Sequence, residues 1–203
     1  MQKRSLWLAA AASAVAVAIP LLATASHLDV PDGNDTRGLL DVRRVDLSGS
    51  ERPTWHVITF TDWTVGRVFD RGYFLVRLDT FGTARYDYYA LVWSNGYRMR
   101  ANLFRDPQRR RDYNVATLTA WHPTASSIKV RIPLRTMRIG KDRLDYTWQI
   151  ETLFSSKNCP RVCIDQVPDR MGVAEPIPGR ASPLPTTSAT PTLTPSPTST
   201  TTP

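Results

Sequence analysis

The amino-acid sequence predicts an all-β protein, an antiparallel β-sandwich of about eight strands with jelly-roll-like character. Three observations predict it. From Leu39 to Phe154 apolar residues recur at every second position, the spacing of strands with one buried face. Turn-forming residues separate these runs at short intervals, as in sandwiches and barrels. No segment in this span sustains a 3.6-residue period, although Thr61 to Arg67 suits a single helical turn.

The elements follow in order. Ser26 to Gly38 is polar, holds Pro31, Gly33 and Gly38, and reads as a lead-in loop. Leu40 to Leu47 is the first strand. Its apolar residues change parity between Val42 and Val45, which predicts a bulge at Arg43-Arg44. Trp55 to Thr61 forms the next run, with Trp55 a core candidate. Phe74, Val76 and Leu78 then alternate with Tyr73, Leu75 and Arg77. Tyr86 to Trp93 leads into Ser94-Asn95-Gly96, a hairpin signal, because type I′ turns require residues that tolerate positive φ. Met99, Ala101 and Leu103 alternate with Arg98, Arg100 and Asn102. A weaker run covers Tyr113 to Trp121. Ile128, Val130 and Ile132 against Lys129 and Arg131 form the cleanest pattern. Leu144, Tyr146, Trp148 and Ile150 alternate with Asp145, Thr147, Gln149 and Glu151, placing Trp148 in the core.

Both ends of the chain point outside the cytoplasm. Lys3-Arg4 precede an apolar run from Leu6 to Ile19, and Ala23-Thr24-Ala25 offers a small-residue cleavage site, so residues 1–25 read as a signal peptide. The alternative is an uncleaved anchor, which the run reaches in length only if extended through Pro20 to Ala25. Residues 26–180 form the β-domain. Residues 181–203 are a tail in which 19 of 23 residues are Thr, Pro or Ser, too poor in apolar surface to fold. It reads as a stalk or as a linker to a further domain. Leu184-Pro-Thr-Thr-Ser188 is close to a wall-sorting motif, but Ser stands in the place of Gly and no apolar segment follows. The protein is thus expected to be secreted or held at the cell surface, and not membrane-spanning once the signal is removed.

Cysteine usage fits that address. Cys159 and Cys163 are a close pair, which in an oxidising compartment reads as a disulfide pinning a small loop. A metal site would need about four ligands, and neither a second cysteine pair nor a nearby histidine is present.

Four short segments recur together in this order: Asp35-Thr-Arg-Gly-Leu-Leu-Asp-Val42, Val76-Arg-Leu-Asp-Thr80, Lys129-Val-Arg-Ile-Pro-Leu134 and Asp165-Gln-Val-Pro-Asp169. With them the chain resembles uncharacterised exported bacterial β-sandwich domains built like carbohydrate-binding modules. The resemblance spans roughly Asp29 to Asp169. It implies a fold and an extracellular address rather than an activity.

The sequence contains no G-x-S-x-G elbow, no H-E-x-x-H and no Gly-rich phosphate loop, and His27, His56 and His122 are scattered without ligand spacing. Asp145 and Glu151, on one strand face, are the only carboxylates worth weighing as an acid and base, and they read better as solvated residues. The expectation is a protein that is not an enzyme.

Three constellations suggest binding instead. Asp29, Asp32, Asn34 and Asp35 crowd one loop, Asp41 opens the first strand, and Asp79 ends a later one. Carboxylates on irregular loops suit calcium, which takes about six to eight oxygen ligands; the alternative is that they serve as turn and cap residues. Tyr86, Tyr88, Tyr89, Trp93 and Tyr97 lie within twelve residues, and an exposed line of flat rings would make a platform for sugars. Alternation puts Tyr86 and Tyr88 on one face, Tyr89 and Trp93 on the other, with at least one set toward the core. Arg98, Arg100, Lys129 and Arg131 have outward parity and would form one cationic face if their strands share a sheet. The net charge is +8, of which Lys3 and Arg4 supply two, so the chain after the signal carries +6. Such a charge suits anionic surfaces, or serves only solubility. No RNA-binding or helix-turn-helix pattern points to specific nucleic-acid binding. The function expected is a secreted binding module for a surface glycan or anionic cell-wall polymer. The alternative is a structural domain whose partner is a protein of the cell envelope.

Overall fold

The computed structural model describes residues 27–169 and 172–180, so the expected signal peptide and Thr/Pro/Ser tail lie outside the described residues. The protein is all-β and antiparallel, with one 3-10 turn at Leu134–Thr136. Among the described residues there are eleven strands rather than about eight: β1 (His27–Pro31), β2 (Val42–Ser48), β3 (Thr54–Thr59), β4 (Gly72–Asp79), β5 (Tyr88–Ser94), β6 (Met99–Arg105), β7 (Tyr113–Thr124), β8 (Ser127–Arg131), β9 (Asp145–Ser156), β10 (Cys159–Val167) and β11 (Val173–Pro176). They lie on one hydrogen-bonded path, β1-β2-β3-β8-β7-β6-β5-β4-β9-β10, with β11 on β9. The result is a sheet curled around its core as a half-barrel, not eight strands in two facing sheets.

The curl is made by β7. Its first part pairs with β6 through Tyr113 to Leu118, and its second part pairs with β8 through Thr119 to Thr124. A register shift interrupts each ladder, at Leu103/Phe104 and at Trp121/Thr124, and such bulges bend and twist a strand. The three unforeseen strands have a common cause. β1 ends at Pro31, β10 contains Pro160 and β11 ends at Pro176. Proline donates no ladder hydrogen bond and is confined to sheet edges, so these runs read as loops although they are edge strands.

Local alternation translates directly into the core. Phe74, Val76, Leu78, Met99, Ala101, Leu103, Ile128, Val130 and Ile132 all point inward and are buried. The bulge expected at Arg43-Arg44 is present, where the register of β2 on β3 shifts between Val42 and Arg44. Trp55 and Trp148 meet edge-on at the core centre, with centroids 6.5 Å apart and planes at 79°. Such a pair contributes about 0.5–1.5 kcal/mol beyond the burial of its area. Trp63, outside any strand, is also buried and stacks on His122 at 4.0 Å. The segment expected to form a helical turn closes one of helical spacing at its end, with Arg67 N and Val68 N both donating to Thr64 O, and Gly72 N donates likewise to Val68 O. The Asn-Gly hairpin joins β5 to β6, but through a four-residue loop in which only Gly96 has positive φ; Asn95 Oδ1 accepts from the amides of Tyr97 and Arg98. The type I′ expectation is corrected accordingly.

The two ends of the curled path meet at a seam where β2 touches β10. Side chains, not a strand ladder, hold it together. Val42 N donates to Asp165 Oδ2 at 2.6 Å, Thr152 Oγ1 to Leu40 O at 2.7 Å, and Thr36 Oγ1 to Ile164 O at 3.3 Å. Cys159 and Cys163 are bridged within β10, rather than in a loop after the last strand. They span a bulge, since Cys159 pairs with Ser156 and Cys163 with Phe154. Gly38 sits against this bridge with φ +131°; a Cβ there would lie 3.2 Å from Phe154 Cδ1 and 3.4 Å from Cys159 Sγ. Among the described residues, no helix is long and apolar enough to cross a membrane.

Candidate functional site

The outward face of β5, β6 and β7 gathers four of the aromatic and cationic candidates, Tyr89, Trp93, Arg98 and Arg100. Tyr89 and Trp93 project outward from β5, and in the adjacent ladder Trp93 pairs with Arg100 and Tyr89 with Phe104. Trp93, Asn95, Arg98, Arg100, Asn102, Thr117 and Thr119 line an open depression of about 510 Å³. Arg98 and Arg100 are exposed, and Trp93 is half-buried with its flank on the depression. Flat rings, guanidinium groups and short hydroxyl or amide side chains thus share one surface. Tyr73, cross-strand from Trp93 on β4, extends the aromatic row; alternation alone would have placed it there.

Each remaining aromatic candidate has a definite position. Tyr88 is corrected: it is 2% exposed in the core, and its hydroxyl accepts the Arg138 amide at 2.9 Å. Tyr86 precedes β5, so strand parity does not bind it to Tyr88. It lies half-buried, donating to Gln149 Oε1 at 2.9 Å beneath the Arg77 guanidinium, 5.8 Å away. Tyr89 stacks on Phe104 at 5.2 Å and donates to Asp112 Oδ2 at 2.8 Å. Burial, and then the Asp112 contact, push its phenol up to about 12. The chemistry open to these two rings is therefore stacking.

The cationic residues share one face, but it is bent. Strands β6 and β8 flank β7 from its two halves, and Thr119, which lines the depression with Arg100, pairs with Arg131. Arg131 lies over Trp121 at 5.6 Å. Lys129 sits opposite both His56 and Trp121. Burial, then the nearby Lys129 charge, lower the His56 pKa, so its 3.3 Å contact to Asp46 is a hydrogen bond of a neutral ring at neutral pH.

The calcium candidates separate into three groups. Asp29 is corrected: its carboxylate lies 3.7 Å from Arg44 Nε, away from the others. Asp79 is corrected as well, because its own loop occupies it. Asp79 Oδ1 accepts amides from Phe81, Gly82 and Thr83, and Oδ2 accepts that of Ala84. The neighbouring Asp87 caps the same loop through the Thr80 and Phe81 amides. Asp32 and Asp35 do converge, and their third member is Asp165 of β10; ligand oxygens from the three lie within 4.8 Å of one another. Asp165 belongs to a segment read only as part of a resemblance motif, and no sequence spacing links it to Asp32. Asp41 is next to them, 3% exposed, and its Oδ1 has no hydrogen-bond partner.

The two carboxylates weighed for catalysis are engaged in ion pairs. Glu151 is buried, not solvated, and meets Arg77 Nη2 at 2.6 Å and Gln166 Nε2 at 2.6 Å. Asp145 pairs with Arg143. They stand six residues apart on one strand, roughly 20 Å along it.

The site described is therefore an aromatic and cationic face on a curled antiparallel all-β domain, distinct from the acidic seam. No family model, curated protein or solved structure matches the chain.

Proposed function

We propose that this chain is an exported, non-catalytic domain that binds a surface polymer, a glycan or an anionic wall polysaccharide, through the outward face of β5, β6 and β7. One observation carries the reading: Trp93, Arg98, Arg100, Asn102, Thr117 and Thr119 line one open depression. Sugar rings stack on flat aromatic faces, guanidinium groups pair with carboxylates or phosphates, and the short polar side chains suit hydroxyls. Export is supported by Lys3-Arg4, the apolar run that follows and the Cys159–Cys163 bridge, since disulfides persist in oxidising compartments. The resemblance to carbohydrate-binding-module-like domains agrees with this reading.

The test is retention of the protein on insoluble polysaccharides and purified cell wall. At least one should retain the wild-type domain and lose the Trp93→Ala variant. Retention by none would defeat the proposal.

A second reading rests on the tip of the β5–β6 hairpin. Tyr97 is 93% exposed there, and Phe69, 45% exposed, packs beside Gly96. A protruding aromatic pair suits a protein partner in the envelope. Capture of such a partner, abolished by Tyr97→Ser and indifferent to Trp93→Ala, would favour it.

A further inference from the structure

The seam carries more carboxylate than its hydrogen bonds explain. Asp32, Asp35 and Asp165 place ligand oxygens within 4.8 Å of one another. Among the described residues, no Lys, Arg or His nitrogen lies within 4 Å of any of them or of Asp41. Two further atoms lack partners: Asp32 Oδ2 and Asp41 Oδ1 are both fully covered and accept no hydrogen bond. Asp41 is itself 97% buried, being 3% exposed, and its carboxylate is close enough for Asp35 and Asp165 to repel it. A buried carboxylate with an unpartnered oxygen beside like charges is costly unless a cation meets it.

We propose that Asp32, Asp35, Asp41 and Asp165 bind a single calcium ion, which clamps the segment before β2 to β10 and so closes the seam of the curled sheet. The donor set is oxygen only, which suits a hard cation, and no cysteine or histidine enters it. Calcium holds its ligands at about 2.3–2.6 Å, so oxygens around one ion lie up to about 5 Å apart, the scale found here. Three of the carboxylates come from the irregular segment between β1 and β2, which accommodates calcium's loose geometry better than the strict octahedron magnesium requires. Asn34 and Asp41 also line an open cleft of about 650 Å³, with Arg37 and Lys157 along its walls, so the Asp41 side of the segment is reached from solvent.

This inference is independent of the polymer-binding reading. Its consequence is structural: the ion would join the segment before β2 to β10 beside the Val42 N to Asp165 Oδ2 bond, which links residues 123 positions apart where strand pairing alone does not close the sheet.

The experiment is titration of the chelator-treated chain with calcium chloride, read by calorimetry and by thermal unfolding. Saturable heat with one ion per chain is expected. Calcium at a hundredfold excess over its Kd should raise Tm by roughly 5–10 °C, because an ion that binds only the native state stabilises by mass action. Magnesium chloride at the same concentration should shift Tm less. Asp35→Asn, at an exposed position, should weaken calcium about tenfold or more, and the metal-free Tm should not fall, because a repelling charge is removed. Asp165→Asn keeps an oxygen for the Val42 amide and should abolish the response. Absence of heat together with an unchanged Tm would overturn the proposal. So would a calcium response that Asp35→Asn leaves intact, since the ion would then be bound elsewhere.

Discussion

The seam and the outward face both present polar residues on strands, yet they use them in opposite ways. On the outward face Arg98 and Arg100 stand exposed, without an ion pair among the described residues, beside a half-buried Trp93. At the seam Asp165 faces inward with Thr152, and both bond to the backbone of the segment entering β2. Exposed charges are screened by solvent and cost little to replace, whereas buried polar groups leave an unpaired partner when removed. Function that depends on an incoming ligand belongs on the first kind of surface, and closure of the fold depends on the second. Net charge counts both regions alike; burial tells them apart.

The sharpest break in the comparison is expected at Gly38. Its φ of +131° strains any residue that carries a side chain, and a Cβ there would press on Phe154 and the Cys159–Cys163 bridge. Gly38→Ala should cost about 2–3 kcal/mol in urea unfolding, a strained backbone plus a displaced neighbour. An unchanged midpoint would mean that the seam relaxes freely. Next in size is the disulfide. Replacing Cys159 and Cys163 by Ser should cost about 2 kcal/mol, since the chain-entropy account gives that much for so short a loop. Polymer retention should persist in the fraction that stays folded.

His56 offers a smaller effect on the outer side of β3. Its pKa is held below the ordinary value of about 6.5 by burial and by Lys129, so between the two values the unfolded chain binds more protons. The stability linked to it is complete above about pH 6.5 and is lost as pH falls through the folded value. His56→Gln should flatten unfolding curves measured between pH 5 and 7; an undiminished slope would place the titration elsewhere. The smallest stability effect belongs to Arg98→Ser with Arg100→Ser, expected within about 0.5 kcal/mol of wild type.

What the sequence revealed was set by local geometry. Alternation fixes which residues of one strand share a face, so the inward triplets of β4, β6 and β8, the bulge at Arg43-Arg44 and the core positions of Trp55 and Trp148 were all legible. Tyr88 could be assigned to either face until its strand's partner was known. The meeting of Asp32 with Asp165 depends on how the sheet closes, which no local period encodes. Proline hid three edge strands for a related reason: it signals where a ladder ends, and an edge is where a ladder ends. Trp63 lies outside any strand, so its stacking on His122 had no periodic signal.

The proposed division, in which the outward face binds polymer and the seam holds the fold, is tested by measuring affinity for one anionic polysaccharide, in low and high salt, beside Tm, for wild type and the Arg98→Ser/Arg100→Ser variant. Exposed charges are screened over about 8 Å at physiological ionic strength, so wild-type affinity should fall steeply with salt. The variant should bind about tenfold more weakly at low salt, show a shallower salt dependence and keep its Tm. Equal affinity of the two proteins at both salt concentrations, with Tm unchanged, would contradict the account.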